Sequence, residues 1–183
     1  LYMGSGETRE AFVPVYMGAL IGAARGEDVG DAQWVERGLA FGGHNTVQGR
    51  LEACARGLRA LGSERYAEAA AHLSHPGYER LLEPGLNFLR PNLIEALIGA
   101  GQLDAAEGLL DDWEATARRL DRPRALATGA RARGLLFLGR GNVAAAVTAL
   151  ESAVAEHERL PDRFERARTL LAGSFRRPRF DRV

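Results

Sequence analysis

Residues 99–120 read GAGQLDAAEGLLDDWEATARRL, and forty positions later residues 139–160 return the same pattern as GRGNVAAAVTALESAVAEHERL. Leu103, Ala106, Leu110, Trp113, Ala117 and Leu120 are spaced 3, 4, 3, 4, 3, as are Val143, Ala146, Leu150, Ala153, His157 and Leu160. That spacing is one stripe of an α-helix. Gly99 and Gly101 correspond to Gly139 and Gly141, where one helix is expected to end at a left-handed glycine and the next to begin. A period near forty built from helix, glycine corner and helix predicts an all-α solenoid of paired helices.

Working outward, residues 64–73 carry Tyr66, Ala69 and Leu73 in register with Leu103, Ala106 and Leu110 at a shift of 37, a third and shorter copy. Before it, helices are expected over 8–25, 31–41 and 45–61, with corners at Gly26, Gly42-Gly43 and Gly62-Ser63. Pro91 either kinks a helix running to Gly99 or starts one afresh in its first turn. Helices follow over 124–138, with Leu126, Ala130, Gly134 and Phe137 toward the neighbours, and over 142–160, capped by Asn142. A last helix begins at Phe164 and should expose Phe164, Ala167 and Leu171, because its partner is missing from GSFRRPRFDRV, residues 173–183. The expected organisation is one helical-repeat domain over 1–172 and an irregular arginine-rich tail over 173–183.

Composition narrows the function classes. The 183 residues balance 24 basic against 24 acidic groups, with pI near 7.1, which gives no electrostatic case for direct nucleic-acid or anionic-membrane binding. Every basic residue is Arg, so a lysine-bearing phosphate loop and a Schiff-base lysine are excluded. Cys54 is the one cysteine; no intrachain disulfide can form, in keeping with a reducing cytoplasm. The apolar run 12–24 contains Pro14 and is too short for a span, so no membrane segment and no signal peptide are expected.

Candidate chemistry has a plainer structural explanation at each position. His44, His72, His75 and His157 include no pair at the helical spacing of a zinc hydrolase, and His157 falls on the apolar stripe, as a partly buried, hydrogen-bonded histidine would. Ser5 lacks the context of a nucleophile elbow. Asp111 and Asp112, with Glu107 and Glu114, could serve as acid and base, yet they lie on the outer face of a repeat helix, where a solvated, polar surface is expected. Trp34 and Trp113 read as packing residues. The C-terminal arginines have no recognition helix beside them and read as a charged tail. No catalytic, cofactor-binding or metal-binding residue is assigned.

Residues 92–173, and most distinctively HERLPDRFERARTLL over 157–171, resemble the tetratricopeptide-like helical region of the large ATP-binding LuxR-type transcriptional regulators, the MalT-like branch. The resemblance implies a right-handed α-α superhelix of about four helix pairs plus an unpaired C-terminal helix. It further implies a cytoplasmic, non-catalytic sensor that binds a protein or small-molecule effector, with nucleotide-binding and DNA-binding modules outside this chain. This stretch would then be a fragment of such a regulator. Exposed residues of the first helix in each pair, Asn92, Glu95, Arg131 and Arg133 among them, would line the ligand groove. Two rivals stay open: a stand-alone protein-protein adapter of the same architecture, and an all-α enzyme using Asp111, Asp112 or the histidines.

Overall fold

The computed structural model describes Ile21, Gly22, residues 47–74, Pro84, Asn87 and residues 89–174. Ile21 and Gly22 are helical; the rest of the two helices expected before residue 45, together with Ser5, Trp34, His44, His75 and the tail beyond Ser174, lies outside the described residues. Among the described residues the protein is all-helical. The helices are α1 (Val47–Gly62), α2 (Tyr66–Leu73), α3 (Leu89–Gly99), α4 (Leu103–Leu120), α5 (Pro123–Gly139), α6 (Val143–Glu158) and α7 (Arg163–Ser174). The chain divides into two compact units, Leu1–Arg80 and Leu81–Val183, a boundary that falls within the stretch expected as one repeat domain.

The corners repeat more faithfully than the residues that make them. Gly101 and Gly141 both take a φ of 76°. The residue after each donates its N–H five positions back, Gln102 to the Leu97 carbonyl at 2.9 Å and Asn142 to the Phe137 carbonyl at 2.8 Å. Each glycine donates in turn to Ile98 or Leu138 at 3.0 Å, which completes a Schellman closure and satisfies carbonyls that the helix end would leave bare. The same closure forms where no glycine stands. Glu64, at φ 59°, precedes Arg65 N–H on Ala60 O at 2.9 Å, and Asp121, at φ 44°, precedes Arg122 N–H on Ala117 O at 3.1 Å. Thus Asp121 is a left-handed helix stop.

Helix starts follow from side-chain acceptors and from proline. Asn142 Oδ1 accepts from Ala145 N–H at 3.1 Å and caps α6 as expected, and Asp162 Oδ1 does the same for α7 through Glu165 N–H at 3.1 Å. Pro123 opens α5, where its missing N–H costs nothing. Pro91 resolves in favour of a fresh start: it sits in the first turn of α3, and buried Asn87 accepts from Arg90 N–H at 3.1 Å.

In the first unit α1 packs on α2, with Cys54, Ala55 and Ala60 against Ala69, Ala70 and Leu73 as the core. In the second unit each helix packs on the next, and α5 also meets α3 and α7. The α4 stripe is inward as its spacing predicts: Ala106, Leu110, Trp113 and Ala117 are buried, and Trp113 Nε1–H donates to Ala125 O at 3.0 Å. Each large apolar side chain buried this way contributes about 1.5–3 kcal/mol. The α6 stripe matches at Ala146, Leu150, Ala153 and His157, but its first member, Val143, is 57% exposed.

For α5 the expected face is too narrow. Leu126, Ala130 and Phe137 are only half-buried, whereas Ala125, Ala127, Thr128, Gly129, Arg131, Ala132, Gly134 and Leu136 are buried, because neighbours cover the helix on several sides. Gly134 lets α6 come close: a Cβ there would lie 2.6 Å from Leu150 Cγ. α7 continues two residues past the expected end of the helical domain, and it leaves Phe164, Ala167 and Leu171 exposed, as anticipated.

Candidate functional site

Three of the four residues expected to line a groove form an interior instead. Asn92, Glu95 and Arg131 are 6%, 8% and 1% exposed, which corrects their placement on an open surface. α5 is built of small residues around Arg131, so α3 and α7 approach near enough for one long guanidinium to reach both. Arg131 Nε donates to Glu95 Oε1 at 2.7 Å, and its Nη2 lies 2.5 Å from the same oxygen. On the other side Nη1 lies 2.7 Å from Glu165 Oε2 and donates to Glu165 O at 3.2 Å. Arg168 closes the circuit from α7, donating to Glu95 Oε2 at 2.6 Å, to Glu165 Oε1 at 3.1 Å and to Asn92 Oδ1 at 2.9 Å.

Two carboxylates and two guanidiniums therefore balance in one buried cluster, the condition for tolerating charge away from water. Burial alone would lower the pKa of Arg131, but the charges of Glu95 and Glu165 outweigh it and raise it. For Glu165 burial pushes upward, and the opposing charges of Arg131 and Arg168 with the Arg131 hydrogen bond hold the carboxyl at about 2.

His157 joins from α6. It is hydrogen-bonded, as its place on the stripe predicted, but fully rather than partly buried, and its Nε2 lies 2.9 Å from Thr169 Oγ1. With its one proton given to Glu165 O at 3.1 Å, the Thr169 hydroxyl accepts from His157 Nε2–H and from Arg131 Nη1 at 3.3 Å. His157 Nδ1 is buried without a hydrogen-bond partner. Burial and the nearby Arg131 charge lower the histidine's pKa and so favour its neutral form.

Arg133, two residues from Arg131, faces a different partner. Its guanidinium donates to Asp111 Oδ1 at 2.6 Å and to Glu114 at 3.0 and 3.1 Å, while Arg140 donates to Glu107 at 2.7 and 2.8 Å and to Asp104 at 3.1 Å. Asp112 is met by Arg90 of α3 at 3.3 Å. The acidic side of α4, expected as a solvated surface, is thus a ladder of ion pairs to its neighbours. Asp111 and Asp112 stay 64% and 74% exposed, and each is held by its own arginine. The arrangement can lock helices to one another.

Sequence reasoning missed Glu165, Arg168 and Thr169. A signal was present: an arginine amid the small residues of GARARG needs acids from adjacent helices, and Glu165 and Thr169 stand one turn apart on the next first helix. His72, half-buried, lies 3.9 Å from Glu68. Among the described residues no cluster of three or more His, Cys, Asp or Glu could hold a metal ion, and no helix is long and apolar enough to cross a membrane. A cleft of about 300 Å³ opens at the corner between α6 and α7, rimmed by Asp162, Arg163 and Arg166. Comparison with family models, curated proteins and solved structures returns no match to this chain.

Proposed function

We propose that this chain is the helical-repeat, effector-sensing region of an ATP-dependent LuxR-type transcriptional regulator, working in the cytoplasm by binding a protein or small molecule and without catalysis. In this reading the helix pairs wind as a tetratricopeptide-like right-handed superhelix, and the nucleotide-binding and DNA-binding modules belong to sequence outside it. The residue pattern over 157–171 carries the regulator assignment, and the recurrent corners at 101 and 141 support the repeat.

The observation that carries the binding mechanism is the buried cluster of Glu95, Arg131, Glu165 and Arg168, which ties α3, α5 and α7 together. A ligand that displaces one of these helices must disturb the next, so occupancy at one end biases the packing at the other. The groove residues then act by transmission rather than by touching ligand, except Arg133, which is half-buried.

A thermal-shift screen of candidate inducers against the chain in its full reading frame tests this. A specific effector raises the melting temperature with concentration, as mass action requires. A flanking sequence with neither a nucleotide-binding segment nor a helix-turn-helix would overturn the regulator reading in favour of the adapter.

A further inference from the structure

We propose that the outward face of α7 is a docking surface for an acidic amphipathic helix. Phe164, Leu170 and Leu171 are 45%, 51% and 60% exposed, large apolar groups within one helix of twelve residues. Phe164, Ala167 and Leu171 fall along one line at helical spacing, with Leu170, Arg163 and Arg166 beside them. The positions forty residues earlier on α5 show what such a face does when it is covered. Ala127, Arg131 and Gly134 correspond to Ala167, Leu171 and Ser174, and all three are buried, Gly134 beneath Leu150 of α6 and Arg131 against Glu165 of α7.

Charge identifies the occupant. Arg163 and Arg166 are exposed and form no ion pair among the described residues, and they rim the cleft at the start of α7. Arg168 is engaged with Glu95 and Glu165 and lies over the Phe164 ring at 5.9 Å, which leaves the other side of that ring open. The protein already contains the complementary pairing: α4 sets Trp113 and Leu110 inward while Glu107, Asp111 and Glu114 meet Arg133 of α5 and Arg140 just past its end. A helix with a greasy stripe edged by carboxylates satisfies α7 in the same manner. A second α7 would bring arginines of its own and no free acid, since Glu165 is buried and paired. This surface does not depend on the regulator reading.

The probe is a fluorescein-labelled peptide of residues 103–120, which carries Asp104, Glu107, Asp111, Asp112 and Glu114 against Arg118 and Arg119. Anisotropy titration with the full chain should give saturable binding. Leu171→Asp and Arg166→Glu, both at exposed positions, should each weaken it by about tenfold or more with melting temperature unchanged. A peptide with Asp111 and Asp112 replaced by Arg should regain affinity for the Arg166→Glu chain. Absence of saturable binding, or binding indifferent to both substitutions, overturns the proposal. So does sedimentation showing a dimer that Leu171→Asp dissociates, which makes a second copy the occupant. Leu171-dependent retention on phosphatidylcholine and phosphatidylglycerol vesicles in place of peptide binding would assign the face to lipid.

Discussion

Arg131 Nε lies 2.7 Å from Glu95 Oε1, a contact between α5 and α3 across thirty-six residues of chain, with both side chains almost wholly out of water. The pair survives there because Glu165 holds the remaining edge of the guanidinium. Removing either partner strands charge in the interior.

Arg131→Met therefore destabilises the fold by about 3–5 kcal/mol, measured by urea denaturation, since Glu95 and Glu165 lose their counter-charge. The triple replacement Glu95→Leu, Arg131→Met, Glu165→Leu recovers most of that loss, because apolar groups leave no buried charge and Arg168, at 18% exposure, can turn to solvent. A triple variant as unstable as the single one would contradict this account.

Acid acts in two windows. Glu165 is held at about 2 in the folded chain against an ordinary 4.5, so its contribution is complete above 4.5 and is lost as pH falls from there toward 2. The amount is on the order of 3 kcal/mol. His157 has a folded pKa below its ordinary 6.5, so the unfolded chain takes the proton first and stability declines as pH drops below 6.5. In a pH series of melting temperatures, His157→Gln flattens the upper window and leaves the lower one.

Glu64 occupies the left-handed corner that Gly101 and Gly141 fill in the other copies. Glu64→Gly relieves that backbone strain and stabilises by about 0.5 kcal/mol net of the added freedom of the unfolded chain. Gly101→Ala does the reverse, costing about 1 kcal/mol although nothing lies within 4 Å of the new methyl group. Chemical denaturation of the two variants should move in opposite directions.

Two glycines within helices separate packing from propensity. Gly134→Ala places a Cβ 2.6 Å from Leu150 Cγ and 3.3 Å from Ala146 O, and destabilises by about 1–3 kcal/mol. Gly108→Ala meets nothing within 4 Å on the exposed face of α4 and stabilises by about 0.5–1 kcal/mol. Equal effects at the two sites in denaturant titrations would refute the close approach of α5 and α6.

What the amino acids alone determined is local. The 3, 4 spacing from Leu103 to Leu120 set the helix and its inward face, Gly101 and Gly141 set the corners, and Asn142 set a start, because each depends on neighbours within a turn of chain. Pro91 left two options, and buried Asn87 decided between them. Only the tertiary structure decided the fate of the charges. Arg131, Glu95 and Asn92 look like surface residues in a string of letters, and become interior when α3, α5 and α7 close on one another with matched partners. Likewise the ion pairs of Glu107 and Glu114 with Arg140 and Arg133 form only when α5 and its end pack on α4, while Asp111 and Asp112 stay exposed as expected. Burial of an ion depends on the counter-ion that another helix brings, and that pairing spans dozens of residues which no local period encodes.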